Sequence, residues 1–65
     1  MYKNIEAEIA RNGLTRKQIA KKLGLSNSTV SLKLNGKANI TLGEAIEIKK
    51  ILKTDMTLEN LFEVS

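Results

Sequence analysis

The sequence predicts an all-α domain of five short helices, and three observations carry that prediction. An apolar residue is followed by Ser or Thr at Leu14-Thr15, Leu25-Ser26, Ile40-Thr41 and Met56-Thr57, and a stretch of helical apolar spacing follows each pair. Gly13, Gly24 and Gly36 stand where three helical stretches would have to stop. No segment alternates apolar and polar residues as a half-buried strand does. Sixty-five residues hold a single core, so residues 1–65 are read as one domain.

The first helix, Tyr2 to Asn12, carries Ile5 and Ile9 one turn apart with Ala10 beside them, and Gly13 ends it. The second, Arg16 to Leu23, starts at Thr15. The Thr15 hydroxyl can accept from a first-turn amide while Gln18 reaches back, and Leu14 can staple onto Ile19. Its inner face is Ile19, Ala20 and Leu23. The third helix, Asn27 to Asn35, takes Ser26 as its cap, Leu25 with Val30 as its staple, and Val30 and Leu34 as core residues. The fourth, Leu42 to Lys53, repeats the reciprocal cap with Thr41 and Glu44, and it buries a broad face of Ala45, Ile46, Ile48, Ile51 and Leu52. Gly43 interrupts its first turn at a cost of up to about 1 kcal/mol relative to Ala. Two explanations fit Gly43, a close backbone approach or a tolerated defect. The fifth helix, Leu58 to Phe62, is capped by Thr57 and stapled by Met56 with Leu61.

Composition removes most chemistry. The chain has no His and no Cys, so it has no imidazole base, no thiolate and no soft-metal ligand set; an enzyme is not expected, nor a metal or other cofactor, nor a small-molecule substrate. No apolar run approaches the length of a membrane span, and Lys3, Asn4, Glu6 and Glu8 break up the start of the chain where a signal peptide would sit. A cytoplasmic protein without membrane contact is expected.

The net charge of +4 is unevenly placed. Residues 11–37 hold Arg11, Arg16, Lys17, Lys21, Lys22, Lys33 and Lys37, and no acidic residue lies between Glu8 and Glu44. Acidic residues are confined to the two ends. A basic middle is the electrostatic footprint of a polyanion site, whereas a purely solubilising surface mixes both signs.

The second and third helices are joined by Gly24-Leu25-Ser26: a residue for the reversal, an apolar plug and a cap. This is helix-turn-helix geometry over about residues 15–35, with Ala20 allowing close approach. The exposed face of the third helix is then Asn27, Ser28, Ser31, Leu32 and Asn35, free of carboxylates that would repel phosphate. Amides and hydroxyls can bond base edges, and an apolar side chain can meet a thymine methyl. Asn and Ser also favour helix starts for purely local reasons.

The stretch LTRKQIAKKLGLSNSTVSLKLNGK, Leu14 to Lys37, resembles the helix-turn-helix of the lambda-repressor-like family, which includes phage Cro and repressor proteins and xenobiotic-response-type bacterial regulators. The resemblance implies a compact five-helix domain that binds double-stranded DNA through its third helix. It implies that Asn27, Ser28, Ser31 and Leu32 contact bases, and that Arg16, Ser26, Lys33, Lys37 and Asn39 contact phosphates. It also implies work on the nucleoid of a bacterium or phage-infected cell. One departure from the family pattern concerns Lys33, which falls where an apolar residue is usual, while Val30 and Leu34 lie four apart and can share a face. Two rotations of the third helix fit this pattern. Lys33 either packs or points to phosphate, and Leu32 either contacts a base or is buried or faces a partner.

The C-terminal segment is more apolar than a surface tail. Met56, Leu58, Leu61 and Phe62 either close the core or form a homodimer seam suited to a pseudo-palindromic operator. The function expected is that of a sequence-specific transcriptional regulator, a Cro-like repressor controlled by its own concentration. The alternative is a protein-interaction module, antitoxin-like or an adaptor, that docks a partner on this apolar helix.

Overall fold

The computed structural model describes residues 2–64 and shows five helices in the order α1 Lys3–Arg11, α2 Arg16–Leu23, α3 Asn27–Leu34, α4 Leu42–Leu52 and α5 Leu58–Leu61. The sequence-based ranges run longer only by residues that turn out to be caps: Tyr2, Asn12, Asn35, Lys53 and Phe62.

Every hydroxyl cap forms. The side chains of Thr15, Ser26, Thr41 and Thr57 accept from the amides of Gln18, Thr29, Glu44 and Asn60 at 3.1–3.2 Å. Gln18 and Glu44 answer by accepting from the Thr15 and Thr41 amides at 2.9 and 3.0 Å, so both reciprocal boxes are complete. Each cap satisfies an amide that the helix leaves without an internal partner. Three helices stop through glycines of positive φ, and the next amide bonds back five residues, as Leu25 N does to the Ala20 carbonyl at 3.0 Å. α4 stops differently, because Lys53 itself takes φ 50° without a glycine to signal it.

The core is Ile5, Ile9, Ile19, Ala20, Val30, Leu34, Ile48, Leu52 and Leu61, all buried. Leu14, Leu25 and Met56, the outer halves of the staples, pack against it. The accessible surface of 4283 Å² is close to the roughly 4,100 Å² that the chain's mass implies.

Two core expectations and one seam expectation need correction. Ala10 is exposed, because the inward stripe of α1 is only as wide as Ile5 and Ile9. Ile46 is 40% exposed, since α4 meets the core along the line of Ile48 and Leu52 and Ile46 lies round the helix from it. Leu61 is fully buried, and with no surface left it cannot belong to a seam between copies.

Side-chain bonds tie the ends of the chain together. Asn12 Nδ2 donates to the Leu52 carbonyl at 2.9 Å, and Asn4 Nδ2 donates to the Asn60 carbonyl at 2.6 Å. Tyr2 and Phe62 meet edge to face with ring centroids 5.5 Å apart. Among the described residues no helix is long and apolar enough to cross a membrane.

Candidate nucleic-acid interface

α2 and α3 pack mainly on each other, and the turn between them sets how α3 is displayed. Gly24 has φ 71°, a conformation that costs a residue with a Cβ about 1–2 kcal/mol. It reverses the chain, Leu25 folds back against the core, and Ser26 starts α3 with its hydroxyl turned to the Thr29 amide. Val30 and Leu34 face inward. Asn27 and Ser28 are exposed at the start of α3, Leu32 further along it is 48% exposed, and Ser31 is half-buried. Leu32 therefore faces outward, while Lys33 beside it in sequence turns to Glu44 of α4.

The cations of residues 11–37 are sorted by their neighbours. Arg11 pairs with Glu8 at 2.8 Å, Arg16 Nη2 pairs with Glu6 across the gap between α2 and α1, and Lys33 Nζ lies 2.8 Å from Glu44. Lys17, Lys21, Lys22 and Lys37 are exposed and form no ion pair among the described residues. Lys17 and Lys21 sit one helical turn apart, and with Gln18, Ala20 and Leu25 they line a shallow concavity whose far edge is Asn27. A polar helix start without carboxylates thus stands beside two unpaired ammonium groups, at the end of α3 where the helix dipole is positive. A phosphate chain and a base edge can be met together there.

A helix-turn-helix family model matches residues 5–58, most of the chain. The chain belongs to the lambda-repressor-like helix-turn-helix family. No curated protein and no solved structure matches it. Membership makes this a DNA-binding domain of the kind that transcription regulators carry.

Within this helix-turn-helix domain the sequence-predicted residues fall into three groups. Asn27, Ser28 and Leu32, with Lys37 and Asn39 on the loop after α3, are exposed, and Ser31 beside Leu32 is half-buried. Arg16 and Ser26 are near the same surface but engaged, Arg16 with Glu6 and Ser26 in its cap. Lys33 departs most from expectation. Its ammonium donates to the Asn39 carbonyl at 2.9 Å and to Glu44 Oε1, and its side chain keeps only 16% exposure, so it does not extend toward solvent as a phosphate ligand would. Lys33 holds the Glu44 carboxyl below the usual carboxylate range, assisted by the Thr41 amide. The Arg11 guanidinium does the same for Glu8.

Lys17 and Lys21 were absent from the sequence-based site. Their spacing of four was the available signal, since it puts both on one face of α2.

Proposed function

We propose that this domain is a sequence-specific reader of double-stranded DNA that represses transcription by occupying its operator, in the manner of a Cro protein. The observation that carries this reading is the juxtaposition of Asn27 with the unpaired Lys17 and Lys21 across one concavity. In this reading Asn27 and Ser28 read bases, with Ser31 and Leu32 following along α3. Lys17, Lys21 and Lys37 contact phosphate, with Asn39 beside Lys37. Arg16 reaches phosphate through the guanidinium nitrogens that Glu6 leaves free, and Ser26 offers the outer edge of its hydroxyl.

The C-terminal surface supports a homodimer. Leu58 and Phe62 are half-buried and line a shallow groove with Tyr2, Ile40, Leu42 and Val64, of which Leu42 and Val64 are 69% and 70% exposed. Met56 is half-buried as well. A second copy on this surface would give two-fold symmetry and half-sites about 34 Å apart on a pseudo-palindromic operator. The same exposed apolar groove favours a second reading, an antitoxin-like or adaptor chain that docks a different protein.

Selection from random duplex DNA separates the two. Enrichment of a motif with two related half-sites one helical turn apart supports the operator-binding dimer. A pool that stays random at physiological salt contradicts sequence reading and leaves the docking role. The expected site of action is the bacterial or phage-infected cytoplasm, on the nucleoid.

A further inference from the structure

α3 is anchored in the core by two buried side chains, as α1, α2 and α4 are. Its fully buried side chains, Val30 and Leu34, are four residues apart and lie nearly on one line along the helix. Two anchors on a line fix where a helix sits and resist turning about its own axis only weakly. Rotation about that axis is what decides which of Asn27, Ser28, Ser31 and Leu32 meets a base. A third tether off the line is present at Lys33, about 100° round the helix from Leu34. Its ammonium spans three elements: it leaves the last turn of α3, bonds the Asn39 carbonyl in the following loop, and ends on Glu44 Oε1 in the first turn of α4. The same Glu44 oxygen accepts the Thr41 amide at 3.0 Å, so the cap also holds the carboxylate that Lys33 meets. Lys33 and Glu44 keep 16% and 23% side-chain exposure, which shields the pair from the solvent screening that weakens ordinary surface bridges. α3 packs chiefly on α2, and this bridge is its polar tie to α4.

We infer that the Lys33–Glu44 pair, with the Asn39 carbonyl, is a positioning clamp that sets the rotation of the recognition helix and the shape of the loop carrying Lys37 and Asn39, and thereby the base preference of the domain. The inference deepens the DNA-reading proposal and rests on it for its effect on specificity. Its structural half, the orientation of α3, does not depend on DNA.

Two substitutions separate the clamp from a direct phosphate contact. Glu44→Gln removes the charge and keeps the cap, because Gln18 already performs the same capping role at Thr15. Lys33→Met removes the ammonium and keeps the stem, and Lys33→Arg restores the cation. For the full chain, affinities are measured at fixed salt for the duplex returned by selection and for a random duplex of equal length. Amide residual dipolar couplings are measured on the free proteins. The clamp is expected to make Glu44→Gln and Lys33→Met each lose about tenfold on the selected duplex and about twofold or less on random DNA, with Lys33→Arg near the parent. The α3 couplings should shift in Glu44→Gln while those of α1 and α2 hold. A phosphate-contacting Lys33 gives the opposite sign for Glu44→Gln, tighter binding to both duplexes because a cation is released, together with weaker binding of Lys33→Met to both. That pattern overturns the clamp. If the parent protein binds neither duplex, the DNA-reading proposal fails, and the dipolar couplings decide the clamp alone: unchanged α3 couplings in Glu44→Gln overturn it, and shifted ones support it.

Discussion

Lys17, Lys21, Lys22 and Lys37 reach into solvent from α2 and the loop after α3, whereas Arg11, Arg16 and Lys33 each lie against a carboxylate from α1 or α4. The difference separates two jobs that a count of positive charge merges. An unpaired surface cation can replace counterions along a phosphate chain, and each such contact adds nearly one unit to the slope of log affinity against log salt. A paired cation has part of its charge engaged by the fold, and the pairing orients it: Glu6 steadies Arg16 at the start of α2 and leaves its other guanidinium nitrogens free, and Glu44 steadies Lys33 at the end of α3. The basic stretch is a frame of paired cations that displays the unpaired ones.

The sharpest break of this comparison is at Asn27, which carries no charge and stands among the unpaired lysines. Asn27→Ala is expected to cost about 1–3 kcal/mol on the selected duplex and to relax one base position, with the salt slope unchanged. Equal losses on selected and random duplexes in fluorescence anisotropy titrations would remove it from the readers. Next come the cations themselves. Lys17→Ala and Lys21→Ala should each lower the salt slope by about one unit and weaken all duplexes alike, while Arg11→Ala, on the paired side, leaves the slope within about 0.3 unit of the parent. Similar slopes for all three variants would dissolve the distinction between paired and unpaired groups.

Acid tests the paired set. Glu44 and Glu8 have their carboxyls lowered by Lys33 and Arg11, so their contribution to stability is complete above the ordinary glutamate range and is lost as pH falls through the lowered values. Thermal melts should show the domain losing stability on acidification below the ordinary glutamate range, with a shallower decline in Glu44→Gln. The same decline in Glu44→Gln as in the parent would show that the Lys33 pair adds nothing. The smallest effect is at Gly43. A Cβ there meets nothing within 4 Å, so no close approach by another element of the chain requires the glycine. Gly43→Ala is expected to stabilise by about 0.5 kcal/mol without changing DNA affinity, read by urea unfolding and the same titrations.

Helix starts and most stops were legible in the sequence because they are local chemistry. A hydroxyl and an amide three residues apart need no knowledge of the rest of the fold, and the same holds for a glycine after a helix. Lys53 shows the limit, since nothing in its side chain announces a left-handed stop. The outward face of α3 was legible from its lack of carboxylates, but its rotation was not. Whether Lys33 packs or points to phosphate stays open until α4 places Glu44 within its reach. Arg16 meets Glu6 across ten residues of sequence, and that pairing exists only once α1 lies beside α2. Leu61 carried a related ambiguity, because an apolar residue in a short last helix reads equally well as core or seam until the packing buries it.

The central claim is that DNA is met by the face joining α2 to the start of α3. Amide chemical-shift mapping with the selected duplex tests it most directly. The account predicts the largest perturbations at Lys17, Lys21, Asn27, Ser28, Ser31 and Lys37, with α1 little changed. Perturbations centred instead on Leu42, Leu58 and Phe62, with α3 silent, would contradict it.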